Sequence, residues 1–126
     1  MDLDQLKIEI YKLLSSYNIY ANYLPSKDEE DKELDYFNNV YVVYSLKDIE
    51  DMGYKNNISL EIQIVSSLDN KDKTENIALE IDKIFNGLYM ENVDSKFIHP
   101  NIFYIPLDDL EDKKAIITLQ YKIFIY

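Results

Sequence analysis

Residues 58–64 read Ile-Ser-Leu-Glu-Ile-Gln-Ile. Ile58, Leu60, Ile62 and Ile64 fall on one side of an extended chain, and Ser59, Glu61 and Gln63 on the other, because successive side chains of a strand point to opposite faces. Period two across the whole stretch predicts a strand with one buried face. Residues 114–126 (KAIITLQYKIFIY) repeat the pattern: Ala115, Ile117, Leu119, Tyr121, Ile123 and Ile125 alternate with Ile116, Thr118, Gln120, Lys122 and Phe124. Between the two, the period changes. Ile77, Ile81, Ile84 and Leu88 stack on one side of a helix that Asp69 or Asn70 can cap and that runs to about Asn86. Asn86-Gly87 supplies a left-handed stop, after which Leu88 folds back as an apolar contact. Leu79 lies on the polar side of that helix, among Glu75, Asp82, Lys83 and Asn86.

Upstream, Leu3, Leu6, Ile10, Leu13, Leu14 and Tyr17 form one stripe of an amphipathic helix over 3–17. Asp2 with Gln5 fits a capping box at its start. Ile8 falls on the opposite face, beside Lys12 and Ser15, with Tyr11 nearby. Ile19 to Leu24 reads as a short extended piece stopped by Pro25. Residues 26–35 (SKDEEDKELD) hold six acids and two lysines, a composition expected of a solvated or mobile loop. Val40 to Leu46 (VYVVYSL) is a β-branched and aromatic strand, followed by turn formers at Gly53 and Asn56-Asn57. Residues 89–100 carry no clear pattern. Ile102 to Leu107 (IFYIPL) is a strand whose Pro106 requires an edge or terminal position, and Asp108 to Asp112 is an acidic turn.

Helix, strands, helix, strands in that order predict an α+β fold: two helices packed on one face of an antiparallel sheet of about four strands, in a single domain spanning 1–126. The other face of the sheet is not polar throughout. Tyr41, Val43, Val65, Ile116 and Phe124 all point there and call for a second layer or a neighbouring subunit.

Composition excludes several classes. The 126 residues include 13 basic side chains, all lysine, against 24 acids, for a net charge of −11. Such a surface repels phosphate backbones, so sequence-specific nucleic-acid binding is not expected. Hydrophobic residues reach 47%, too many for a disordered chain, yet no run approaches the ~20 apolar residues of a membrane helix. The acidic start Met1-Asp2-Leu3-Asp4 does not read as a signal peptide. With no cysteine there is no disulfide framework and no thiol nucleophile.

Searching the chain for chemistry yields little. Gly53 and Gly87 open no phosphate-binding pattern, and the one histidine, His99, sits before Pro100 with no serine or cysteine motif around it. Acid clusters at Asp28 to Asp35, Asp48-Glu50-Asp51 and Asp108 to Asp112 lack the spacing of a calcium loop and the apolar setting of a glycosidase pair. Asn57-Ile58-Ser59 matches a glycosylation triplet at the start of a strand and carries no weight. No catalytic, metal or cofactor residue is expected, and the chain does not read as an enzyme. What remains are hydrophobes outside the core pattern: Ile8, Tyr11, Tyr41, Val43, Leu79, Ile116 and Phe124 are the candidate contacts with other subunits. Twelve tyrosines suit such half-wet interfaces.

The arrangement resembles a known family. An N-terminal helix is followed by a strand with Tyr41-Val42-Val43-Tyr44 and an alternating strand ending in Val65-Ser66-Ser67. A charged helix entry then leads to Ile77 through Leu88, and an antiparallel pair closes the fold. From Leu3 to Tyr126 this is similar to the tail terminator (tail completion) proteins of long-tailed phages and of phage-derived contractile tails such as R-type bacteriocins. The resemblance implies a structural role in a ring, commonly hexameric, that caps the tail tube, ends its polymerisation and offers a joining surface. The implied partners are further copies of the chain, the tail tube protein, and a sheath or head-completion protein. The implied location is the host bacterial cytoplasm during assembly and then the particle. Glu29, Glu30, Asp31, Asp109 and Asp112 would then line the lumen or outer rim, where negative charge does not hold passing DNA. Two other classes fit the composition: an acidic DNA-mimic inhibitor of a basic protein, and a small ligand-binding regulatory domain of ferredoxin-like type.

Overall fold

The computed structural model describes residues 3–126; the capping box read from Asp2 lies outside them. Helix α1 (Leu3–Leu14) and helix α2 (Lys71–Phe85) pack on one face of a sheet of seven strands. The strands are β1 (Asn18–Ala21), β2 (Tyr41–Asp51), β3 (Asn56–Ser67), β4 (Tyr89–Met90), β5 (Ser95–Ile98), β6 (Tyr104–Asp109) and β7 (Lys114–Ile125). Their order is β1-β2-β3-β7-β5-β4, with β6 also paired to β7. Thus β5 lies beside the second half of β7 and β6 beside its first half.

The fold is α+β with two helices, as expected, but the sheet is larger and mixed. β1 runs parallel to β2, pairing Asn18 with Tyr41 and Ala21 with Tyr44, whereas every other pairing is antiparallel. Asn22, at φ 71°, ends β1 before Pro25 is reached. Two short strands occupy the patternless segment 89–100.

The alternating stretches deliver the core. Ile58, Leu60, Ile62 and Ile64 of β3 and Leu119, Tyr121 and Ile123 of β7 are all at most 1% exposed. They meet Leu6, Ile10 and Leu14 of α1 and Ala78, Ile81 and Phe85 of α2. α1 ends three residues before the sequence reading, because the Ser15 hydroxyl donates to the Lys12 carbonyl at 2.8 Å and competes with the helical ladder. α2 is fastened to β3 by a buried hydrogen bond between Ser66 and Thr74, 2.5 Å apart.

Gly87 does what Asn86-Gly87 implies. It stands at φ +75°, its N–H donating to the Phe97 carbonyl at 3.1 Å, and Leu88 returns against the core. A Cβ here would meet no atom within 4 Å, so a side chain is opposed by backbone conformation alone. Gly87→Ala is therefore expected to lower stability by about 1 kcal/mol, read from the urea midpoint; an unchanged midpoint would contradict the left-handed stop.

The acidic stretch 26–35 is exposed but shaped. The Asp28 carboxylate accepts from the Glu30 and Lys32 amides, both at 2.9 Å, and the backbones of Lys27 and Glu33 form an isolated antiparallel β-bridge. The segment then turns at Asp35 and brings Tyr36 back over the sheet. The rings of Tyr20 and Tyr36 stand 6.1 and 5.2 Å from that of Tyr41, and the Lys114 ammonium lies 4.2 Å from the Tyr36 ring centre. The Asp35 N–H donates to the Tyr41 hydroxyl at 2.8 Å, and the Ser67 N–H to the Tyr36 carbonyl at 2.9 Å. This strap buries Tyr41, and Val43 and Val65 beside it are buried too. The second layer the sequence asked for is, at this end of the sheet, supplied by the chain itself.

Candidate functional site

Titratable groups converge at one place, where α2, β7 and the loop after β5 meet. Asp82 Oδ1 accepts from the Tyr121 hydroxyl at 2.7 Å and lies 2.5 Å from His99 Nε2. His99 stacks on Phe103, ring centres 3.7 Å apart and nearly coplanar. Burial pushes the Tyr121 phenol far above its ordinary value, and the hydrogen bond to Asp82 and that carboxylate's charge push it further. Tyr121 is 1% exposed, so its proton is shared inside the molecule rather than offered to a substrate. The cluster ties a loop and a helix to the central strand.

The acids form no common cluster. Glu29 and Glu30 sit with Asp28 beside Tyr20 of β1, and Asp31 pairs at 3.7 Å with Lys27. Asp109 and Asp112 lie in the β6–β7 turn, the Asp112 N–H donating to the Asp109 carboxylate at 3.1 Å. The two groups are on opposite edges of the sheet. Among the described residues no three His, Cys, Asp or Glu side chains are placed to hold a metal ion, and no helix is long and apolar enough to cross a membrane.

The remaining features are apolar surfaces. On α1, Ile8 and Tyr11 are 48% and 50% exposed and line, with Lys7, Lys12 and Tyr44 of β2, a shallow groove of about 460 Å³. Their exposure follows from helical geometry, since both lie across the helix from Leu6 and Ile10. Leu79 is likewise exposed on α2. Tyr41 and Val43 are buried within the subunit and so are not available to a partner, a correction to the set read from the sequence. The reason is the strap above them, which no local pattern announces. Ile116 and Phe124 are half-buried, the latter beneath the Lys55 ammonium 4.0 Å from its ring centre. The middle of the second face is polar and internally paired: Lys47 meets Glu61 at 2.8 Å, and Lys122 donates to Ser59 at 3.0 Å.

A second apolar surface was not among the sequence candidates. On β6 and the turns flanking it, Ile102, Ile105, Leu107 and Leu110 are exposed, Leu110 most of all at 77%. The strand pairs with β7 on one side, and its other edge is unpaired among the described residues. The signal that could have found it is Pro106, which confines the strand to an edge and so leaves its outward neighbours uncovered. The α1 groove and the β6 edge therefore lie toward opposite sides of the molecule, one by β2 and the other past β7.

No family model matches this chain, and no curated protein matches it in sequence. A solved structure of 13% identity superposes on it with a TM-score of 0.66, covering 100% of this chain and 96% of its own. Likeness at that identity concerns the fold alone.

Proposed function

We propose that this chain is a structural subunit of a phage tail or phage-tail-like particle. Copies of it form a ring, commonly of six, that caps the tail tube, stops its growth and presents the joining surface to the next component. One observation carries the reading: two different apolar surfaces remain exposed toward opposite sides of a subunit whose core is complete. A closed ring requires that arrangement, because its interface is heterologous and each subunit must offer two distinct patches, head to tail. The order of helices and strands, similar to the tail terminators, supports it from the sequence side. The acids are grouped in turns rather than spaced along one face, which favours assembly over mimicry of a DNA backbone. In this reading Glu29, Glu30 and Asp31 face the rim or lumen, where they repel DNA. The partners are the tail tube protein and a sheath or head-completion protein. The place of action is the bacterial cytoplasm and then the particle.

The test is light scattering of the purified chain together with electron microscopy of the chain mixed with the tail tube protein of its own particle. The expected result is a ring of about six copies of the 15.0 kDa chain, alone or at tube ends, and tubes that cease to lengthen. A chain that stays single and leaves tube length unaltered would overturn the reading.

A further inference from the structure

The two exposed surfaces are complementary in more than polarity. The groove has an apolar floor of Ile8, Tyr11 and Tyr44 with a lysine on either side, Lys7 and Lys12. Asp4, one turn earlier, limits the positive stretch to these two. Lys7 makes no ion pair among the described residues, and Lys12 makes only a long, exposed one to Glu9 at 3.8 Å, which holds it weakly. Positive charge beside bare hydrophobic surface is unusual in a chain of net charge −11.

The β6–β7 turn is the converse. Leu110 projects at its tip between Asp109 and Glu111, with Asp112 following and Leu107 just behind on the strand. Asp108, by contrast, is engaged within the subunit by Lys71 at 2.9 Å.

The geometry points to a seam between copies of this chain: the Leu110 turn of one subunit seats in the Ile8–Tyr11–Tyr44 groove of the next, with Asp109 and Glu111 against Lys7 and Lys12. This rests on the ring reading above and names the surfaces that would close it. It also moves Asp109 and Asp112 from the lumen or rim, where the family resemblance would put them, to the contact between subunits. Burying Leu110 in the groove removes apolar surface from water on both partners, and the flanking charges fix which turn meets which groove. A turn that is already ordered by its own hydrogen bond loses little freedom on docking.

The test uses two double variants, Lys7→Glu/Lys12→Glu at exposed positions and Asp109→Lys/Glu111→Lys at a half-buried and an exposed one, each shown by circular dichroism to keep the wild-type fold and the β6–β7 turn. Self-association is read by sedimentation equilibrium, and by the fraction of capped tubes where the chain alone is monomeric. Each variant by itself places like charges across the seam, so association is expected to fall about tenfold or more, with the loss smaller at high salt. An equimolar mixture pairs glutamate grooves with lysine turns and wild-type grooves with wild-type turns, so alternating assemblies are expected to recover. Lys83→Glu, exposed at the far end of α2 from the Lys71–Asp108 pair, serves as a remote control and is expected to change nothing. Variants that associate or cap as the wild type does, or a mixture that fails to recover, would overturn the seam while rings of wild-type chain still stand. A wild-type chain that neither associates nor caps would remove both.

Discussion

Replacing Phe85 by alanine is expected to cost about 3–5 kcal/mol of unfolding free energy, a large part of what a domain of this size has. Phe85 is fully buried at the end of α2, and its ring stands 5.5 Å from that of Phe97 on β5 and 5.7 Å from that of Tyr121 on β7. The ring thus joins the helix to two strands that pair with each other, and none of these neighbours can move inward without breaking a sheet pairing. The cavity stays open and the full transfer loss is felt. Urea unfolding followed by circular dichroism measures it, with an expected fall in melting temperature of roughly 10–20 °C. Leu79→Ala, at an exposed position on the same helix, is expected to stay within about 0.5 kcal/mol of the parent. Equal losses in the two variants would contradict the packing described.

The second large effect is alkaline unfolding. Burial raises the phenol of Tyr121, and it is the leading cause of the upward shifts at Tyr17, Tyr20, Tyr36, Tyr44 and Tyr104. Tyr89 is raised chiefly by its hydrogen bond to Asp94. All act in one direction. A folded tyrosine with a raised pKa keeps its proton to higher pH than the same residue unfolded, so its contribution is complete below the ordinary value near 10. Above that pH the unfolded chain releases protons that the folded chain retains, and stability falls with rising pH. Tyr121 alone contributes about 1.4 kcal/mol per pH unit in that limb. The urea midpoint is expected to be insensitive to tyrosine ionisation up to about pH 9.5 and to drop steeply beyond pH 10. Tyr121→Phe is expected to make that limb shallower, compared as slopes because the substitution also removes one hydrogen bond to Asp82. An identical slope in the variant would exclude the buried phenol as a source.

Phe85 and Tyr121 belong to parts of the fold that were legible in the sequence, the second helix and the last strand, whereas Phe97 lies on β5 in the segment without a pattern. The alternation at Ile58–Ile64 and Ala115–Ile125 is visible because β3 and β7 lie side by side in the sheet with one face wholly buried, so burial is written at every second residue. The helical stripes follow for the same reason, and Ile8, Tyr11 and Leu79 stand out as breaks in them. β1 was legible only as an extended piece, since a parallel partner for Asn18–Ala21 is fixed by tertiary placement and not by neighbouring residues. Tyr41 and Val43 were read as outward, correctly as to face. Whether an outward residue is covered depends on where a distant strap falls, and Tyr36 directly follows an acidic stretch with no pattern to announce it. The exposed row on β6 was hidden differently: IFYIPL reads as a strand, and only its position beside β7 shows which side chains stay bare.

The place of β7 in the chain has a kinetic consequence. Its partners β3, β5 and β6 all precede it, and the β3–β7 ladder joins residues from 47 apart, Ser67 with Lys114, to 69 apart, Asn56 with Ile125. Closing loops of that length before any reward is gained makes folding slow relative to a helical domain of equal size. During synthesis, β3 can pair with β2 but waits with its other edge open and its isoleucines unshielded. The nascent molecule is then at its most adhesive, and chaperones or an early partner would find it there.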